Sequence, residues 1–261
     1  MNSREIRKTM AEGRATIGTW LQFPSADVAE MMAKAGYDWV VVDMEHGSFG
    51  TGKLPDMFRA IECGGAAPLA RLPEANKVCI KSSLEAGAQG LIFPMIESRE
   101  ELDRAIDLAT YPGQDFWRDD GMPAPAYRGM GFCRANSFGH KFDEYRQKVA
   151  PEILLVAQIE HIRAVDHLDE ILTHKRLDAI MVGPYDLSGS MGLSGDFENP
   201  RFQEAMAKIN ECCEKYSCPM GLHIVEPDPQ ALAREIKKGC KFIAYGIDTV
   251  FLWHAAERPA I

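Results

Sequence analysis

The sequence predicts an α/β protein folded as a single (β/α)8 barrel. Three observations carry that expectation. Eight short aliphatic and β-branched runs alternate with longer stretches of helical periodicity. Each run is continuously apolar, the pattern of strands buried on both faces and therefore parallel. The chain has 261 residues, close to the roughly 250 typical of such barrels. A doubly wound open sheet is the alternative, and it predicts a glycine-rich phosphate loop after the first strand. Gln22, Phe23, Pro24 and Ser25 stand there instead.

The elements follow in order. The first run spans 16–21, and Ser25 then caps a helix over 26–35 that Gly36 closes. A run at 39–43 leads to a helix at 53–63, and a run at 67–71 to a helix at 77–86 closed by Gly87. The fourth run, 90–93, precedes a helix at 99–109. Residues 110–150 form an insertion rich in Gly, Pro and aromatics (Tyr111, Phe116, Trp117, Tyr127, Phe132), expected near the active-site face. Long irregular loops in compact folds are usually functional or disordered, and the aromatic content argues for order. The run at 153–159 is followed by a helix over 164–172, and the run at 179–182 by a helix at 201–215. The run at 220–224 leads to a helix at 229–238 closed by Gly239, and a last run at 242–245 to a final helix with Phe251, Leu252 and Trp253. No linker, repeat or charge block divides the chain, so 1–261 reads as one domain.

Composition narrows the class. The chain is 46% hydrophobic and 26% charged, the proportions of a soluble globular protein. Its net charge of −9 gives no general affinity for nucleic acid or anionic lipid. No apolar run approaches the roughly 18 residues of a membrane span, and the polar start has no signal-peptide core. Seven cysteines with irregular spacing and no C-x-x-C pair point to reduced thiols in the cytoplasm. Cys63, Cys79 and Cys240 read as small hydrophobes.

In a barrel, active sites gather just past the strand ends. Those positions carry Asp43-Met44-Glu45-His46-Gly47, Arg71, Gln158-Ile159-Glu160-His161, Gly183-Pro184-Tyr185-Asp186, His223 and Asp248. Glu160 and Asp186 fall about one βα repeat apart, so they should sit side by side. Paired carboxylates with nearby amides and waters suit a hard cation such as Mg2+ or Mn2+. The alternative for Asp186 is a helix N-cap. Gly183-Pro184 leaves a tight backbone before a helix start, where amides can hold an anion. Arg71 ends an apolar strand, and burying its charge requires an anionic ligand or an acidic neighbour. His46, crowded by two carboxylates, is placed to be tuned as a proton carrier, although a structural histidine would also fit. His161 and His223 are weaker candidates. No strand end carries a lysine, which argues against a Schiff-base mechanism.

The motifs GTW (18–20), AGYDWVVVDMEHG (35–47), PLARLP (68–73), GLIFPMIES (90–98), YRGMG (127–131), AQIEH (157–161) and GPYDLSGSMGL (183–193) resemble those of the HpcH/HpaI aldolases. These are class II pyruvate aldolases typified by 4-hydroxy-2-oxoheptanedioate aldolase. The resemblance runs from about Thr16 to Leu252. It implies a TIM barrel, a divalent metal (Mg2+ or Mn2+, with Co2+ a further candidate) held by Glu160 and Asp186, and no organic cofactor. It matches Arg71 to the arginine on the keto oxygen of pyruvate, His46 to the proton-transfer histidine, and Gln158 to a glutamine near metal and substrate. Gly183, Pro184, Tyr185 and Asp186 match the segment whose amides hold the pyruvate carboxylate. Glu85 falls where some members carry an aspartate paired with the histidine. The resemblance also implies a homohexamer whose last helix is exchanged between subunits.

The expected reaction is reversible cleavage of a 4-hydroxy-2-oxo acid to pyruvate and an aldehyde. The rivals are a citrate-lyase-β-like or malyl-CoA-lyase-like lyase, an oxaloacetate decarboxylase, and a non-catalytic barrel that binds 2-oxo acids. Selectivity for the aldehyde is expected in the insertion, at Phe23 and Pro24, and around His223.

Overall fold

A computed structural model describes residues 1–113, 125–256 and 258. Eight parallel strands close into a barrel in chain order: β1 (Thr16–Leu21), β2 (Trp39–Asp43), β3 (Ala67–Arg71), β4 (Gly90–Phe93), β5 (Leu154–Ile159), β6 (Ala179–Val182), β7 (Met220–Ile224) and β8 (Phe242–Ile247). The helices are α1 (Ser3–Ala11), α2 (Ala26–Lys34), α3 (Leu54–Gly64), α4 (Lys77–Ala86), α5 (Arg99–Ala109), a single turn α6 (Phe142–Glu144), α7 (Ile162–Asp166), α8 (Leu168–Ile171), α9 (Pro184–Ser190), α10 (Pro200–Lys215), α11 (Pro229–Lys237) and α12 (Asp248–Ala255). Ser25 caps α2 by accepting from the Val28 amide, and Gly87 closes α4 with φ +106°. The N-terminal face of the barrel is therefore the end where α2 to α5 finish.

The continuous apolar runs follow from two cores. Trp20, Trp39, Val41, Leu69, Ile92, Val156, Met181 and Phe242 fill the barrel interior, with the Trp39 and Phe242 rings stacked at 4.2 Å. Val40, Val42, Ala70, Leu91, Leu155, Ile180 and Ile243 face outward onto the helices. Neither strand face meets water, so no polar alternation appears.

Several expectations are corrected. Helix α1 has only Ile6 and Met10 as buried aliphatic residues, one turn apart. Both join the interior core, so α1 plugs the N-terminal end of the barrel. The helix expected over 164–172 is two short helices separated at His167. Strand β8 runs two residues further than expected, to Ile247. Cys63 is exposed, so it is no core residue.

The described residues of the insertion pack elsewhere than expected. The insertion links the end of α5 to the start of β5, and in a parallel barrel that connection belongs to the N-terminal face, opposite the strand ends. Its described residues pack there. The Arg128 amide donates to Thr110 at the end of α5, and Arg134 donates to the Ala86 carbonyl at the end of α4. The Arg128 guanidinium lies 4.2 Å over the Tyr111 ring and donates to the Tyr145 hydroxyl. Phe116 and Trp117 lie outside the described residues. Among the described residues, no helix is long and apolar enough to cross a membrane.

Candidate active site

The strand ends bring most of the expected residues together. Asp43 and Arg71 are register partners at the ends of β2 and β3. Arg71 Nε donates to Asp43 Oδ1 at 2.9 Å and Nη2 to Oδ2 at 2.7 Å, and both residues are buried. Such a two-point pair fixes the plane as well as the position of the guanidinium. Glu45 Oε2 approaches Nη1 at 3.2 Å, and the guanidinium carbon sits 4.4 Å from the Trp20 ring centre. Gln22 Nε2 donates to Asp43 Oδ2 at 2.9 Å, while the Glu45 and His46 amides each donate to Oδ1 at 3.2 Å. Burial alone would raise the Asp43 pKa, but the bond and charge of Arg71, with Gln22 and the His46 amide, hold it below the usual carboxylate range. The acidic neighbour that a buried Arg71 required is therefore Asp43.

The second half of the site comes from β5 and β6. Glu160 is buried, with Oε1 accepting from Gln158 Nε2 at 2.6 Å and Oε2 from the Met95 amide at 3.0 Å. Met95 holds φ +50°, a left-handed conformation that costs a residue with a side chain, and its amide is spent on this carboxylate. Burial pushes the Glu160 pKa up to about 7 against the Met95 bond, and the charges of Glu45 and Asp186 add to the rise. Gly183 is needed for space: a Cβ there would lie 2.9 Å from Glu160 Cγ and 3.0 Å from its Oε1. Gly183 is also the N-cap of α9, with Pro184 in the first turn and no side chain capping the helix. Asp186 thus stands inside the first turn, exposed, and is not the cap. Tyr185 is exposed, with its ring edge-on to Phe197 at 5.1 Å.

These residues fit a divalent cation in an open site. Among the described residues, no three His, Cys, Asp or Glu side chains could enclose a metal alone. Yet Glu45 and Asp186 lie close enough that their charges oppose the ionisation of Glu160, and the charge of Asp186 also opposes that of Glu45. Gln158 Oε1 is a buried oxygen without a hydrogen-bond donor, and Glu45 Oε2 has no geometric hydrogen bond beyond its ion pair with Arg71. That excess of oxygen acceptors is what a hard cation with water and ligand in its other positions would satisfy.

His46 follows β2, exposed beside this pair. Glu85 is not brought to it. Helix α4 runs from the strand ends back to the N-terminal face, so its last turn lies at the far end of the barrel. There Glu85 meets Lys81 at 3.9 Å and borders Gly131 of the insertion. His161 caps α7 by accepting from the Arg163 amide at 3.1 Å. Asp248 accepts from the amides of Gln22, Phe23 and Thr249 and so clasps the loop after β1. His223 lies on β7, half-buried and stacked on Trp20. Asp43 and Met95 are the residues whose roles sequence reading missed.

A barrel with this rim of acids, amides and one clamped arginine defines a class of lyase scaffold, and the comparisons identify the class. The family model described as HpcH/HpaI aldolase/citrate lyase matches residues 16–255. The chain belongs to this HpcH/HpaI family and is a carbon–carbon lyase of the aldehyde-lyase type. It is 32% identical over 255 residues to the hydroxypyruvate/pyruvate aldolase of Paraburkholderia phytofirmans, covering 97% of this chain and 95% of that one. It is 31% identical to the 4-hydroxy-2-oxo-heptane-1,7-dioate aldolase of Escherichia coli, covering 98% and 93%. A crystal structure of an HpcH/HpaI family protein from Burkholderia cenocepacia superposes with a TM-score of 0.86 at 30% identity, covering 97% and 96%.

Proposed function

We propose that this chain is a divalent-metal-dependent aldolase that reversibly cleaves a 4-hydroxy-2-oxo acid to pyruvate and an aldehyde. The observation that carries the reading is the buried Arg71, fixed by Asp43, at the same strand-end face as Glu160, whose ionisation its charge favours. Glu160 and Asp186 would hold Mg2+, Mn2+ or Co2+, and that ion would supply the Lewis acidity that makes the pyruvate methyl group acidic.

The chain's own residues do the rest. Arg71 aims charged donors at the keto oxygen, where negative charge grows as the enolate forms. Its guanidinium is already oriented, so little reorganisation remains for the reaction itself. The first-turn amides of α9 have no acceptor within the helix and receive the substrate carboxylate. Gln158 borders the same space through its unpartnered Oε1. His46 takes the proton of the C4 hydroxyl in cleavage and returns it in synthesis.

The test is pyruvate release from a panel of 4-hydroxy-2-oxo acids. EDTA should abolish it, and Mn2+ or Mg2+ should restore it. Full activity in the metal-free chain, or borohydride trapping of pyruvate on the protein, would overturn the proposal.

A further inference from the structure

Strands β8, β1, β2 and β3 are successive neighbours in the closed barrel. Leu21 pairs with Val42, so Gln22 stands level with Asp43, one step beyond the end of β1, and Asp43 in turn pairs with Arg71. Trp20 pairs with Ile247, which brings Asp248, the first residue of α12, beside the loop after β1. Of the α12 residues Asp248 alone is buried, so this first turn is where the helix is tied to the mouth. A rank of polar residues therefore runs from α12 to the arginine clamp.

Hydrogen bonds join this rank without a gap. Asp248 Oδ1 accepts from the Gln22 and Thr249 amides, each at 2.8 Å, and so holds the backbone of Gln22 against the start of α12. The Thr249 hydroxyl donates to Gln22 Oε1 at 3.0 Å, and Gln22 Nε2 donates to Asp43 Oδ2 at 2.9 Å. Arg71 Nη2 donates to the same Oδ2 at 2.7 Å. The direction of the chain is fixed from its inner end. Asp43, paired at two points with a guanidinium, is an ionised carboxylate and only accepts. Gln22 must therefore turn its NH2 group inward, which leaves its oxygen facing Thr249 and requires the Thr249 hydroxyl to donate. The reversed amide would set oxygen against carboxylate. Thr249 thus selects the orientation of the Gln22 amide that supports the clamp.

We propose that Gln22 and Thr249 are positioning residues for Arg71: the first turn of α12 sets the Gln22 amide, the amide sets the Asp43 carboxylate, and Asp43 aims the guanidinium at the keto oxygen. The inference rests on the proposed aldolase reading and deepens it. Asp43 holds both Nε and Nη2 of Arg71, whereas Glu45 meets only Nη1. A turn of the Asp43 carboxylate therefore turns the whole plane of donors. Asp43 Oδ1 is tied to the Glu45 and His46 amides of its own loop. Oδ2 is tied to the neighbouring strand through Gln22, and among the described residues it has no donor besides Gln22 and Arg71. Without the amide, carboxylate and guanidinium can tilt together, and their mutual bonds survive while their aim is lost.

The experiment measures aldol cleavage and oxaloacetate decarboxylation by the Mn2+-loaded enzyme, together with solvent exchange of the Arg71 Nε–H by nitrogen NMR. Gln22→Met keeps the length and loses the amide, and it should lower kcat about tenfold at little changed KM, because the Arg71 contact is stronger in the transition state than in the ground state. Thr249→Val keeps the shape and loses the hydroxyl, and it should lower kcat about threefold, the worth of one neutral hydrogen bond. Thr249→Ser should recover most of that loss. The double variant Gln22→Met/Thr249→Val should be no slower than Gln22→Met, since Thr249 acts through Gln22. The Arg71 Nε–H should exchange faster in Gln22→Met and Thr249→Val than in wild type. A kcat of Gln22→Met within about twofold of wild type, equal losses in Thr249→Ser and Thr249→Val, or additive losses in the double variant overturns the inference and leaves the aldolase reading standing. If wild type turns over neither oxaloacetate nor any 4-hydroxy-2-oxo acid, the aldolase reading falls and the Arg71 exchange rates decide the relay: faster in both variants upholds it, unchanged overturns it.

Discussion

Replacing Asp43 by Asn tests whether the Arg71 clamp is a structural and catalytic unit. In wild type Asp43 Oδ2 accepts from Arg71 Nη2 at 2.7 Å and from Gln22 Nε2 at 2.9 Å. The Asn amide can keep the bonds at Oδ1 but sets a donor against those two donors. Asp43 is 1% and Arg71 7% exposed, so water cannot take over. Removing one partner of a buried pair costs about 3–5 kcal/mol. Glu45 remains 3.2 Å from Nη1 as a partial partner, which places the expected loss near the lower end, about 3 kcal/mol. A chain of 261 residues has an unfolding entropy of about 0.5 kcal/mol per degree, so Tm should fall by about 6 °C.

The pH dependence has a definite sign. The Asp43 pKa is lowered in the folded state, so its contribution is present above the unfolded carboxylate value of about 3.9 and is lost as pH falls through the folded value. The Tm gap between wild type and Asp43→Asn should be flat near neutrality and close in acid. Because Arg71 is left misaimed, kcat should also fall, by about 10²-fold. Differential scanning calorimetry across pH and steady-state assay of the same preparations measure both. A Tm within about 1 °C of wild type together with an undiminished kcat would refute the reasoning, since a buried clamp cannot be lost at no cost.

Three further outcomes are expected. His46→Ala should slow aldol cleavage about 10²–10⁴-fold but oxaloacetate decarboxylation less, since losing CO2 needs no C4 deprotonation, whereas Arg71→Ala should damage both; equal damage by His46→Ala would reassign His46 to a structural role. The Glu160 pKa of about 7 is raised, so in the metal-free chain its stabilising effect is complete below the unfolded carboxylate value and lost as pH rises through about 7. Melting of metal-free wild type against Glu160→Gln should show that decline in wild type only, and parallel curves would contradict it. Trp253 at 81%, Phe132 at 78%, Phe138 at 68% and Leu252 at 55% exposure leave large apolar side chains uncovered on one chain. Light scattering at micromolar concentration should therefore give an oligomer, with a hexamer proposed, and a monomer would count against it.

The barrel was legible because its strands are buried on both faces, which leaves eight uninterrupted apolar runs with nothing else to explain them. Helix α1 was not, although Asn2 and Glu5 form a capping box visible as a motif. Its buried aliphatic surface is two residues set among charges, too little for periodicity to register. The short α7 and α8 have the same difficulty, because five- and four-residue helices carry barely one turn of pattern each. Within the site, Glu160 and Asp186 stood out in the sequence because each comes shortly after the end of an apolar run, and the structure places both at the strand-end face. Sequence spacing did not pair Asp43 with Arg71, because that contact depends on register between two strands, and register is invisible in one sequence. It did not reveal Met95, whose role is a backbone amide in a left-handed turn and not a side chain.

Direction along the barrel explains the remaining disagreement. Parallel strands send every βα connection to one end and every αβ connection to the other. Glu85, in the last turn of a helix, and the described residues of the insertion, between a helix and a strand, are fixed by that rule to the N-terminal face. The aromatic composition of the insertion drew it toward the chemistry, and the family resemblance drew Glu85. Arg134 reaching the carbonyl of Ala86 and pairing with Glu62 shows what the insertion serves within one chain: it satisfies the open carbonyls where α4 ends. His223 gives the opposite case. Its strand-end position made it only a weaker candidate in the sequence, yet its strand direction and its level with Gly183 and Glu160 place it in the mouth. In a barrel, then, the side of the helix–strand alternation on which a residue falls decides whether its chemistry can reach the site, and residue type decides only what it can do there.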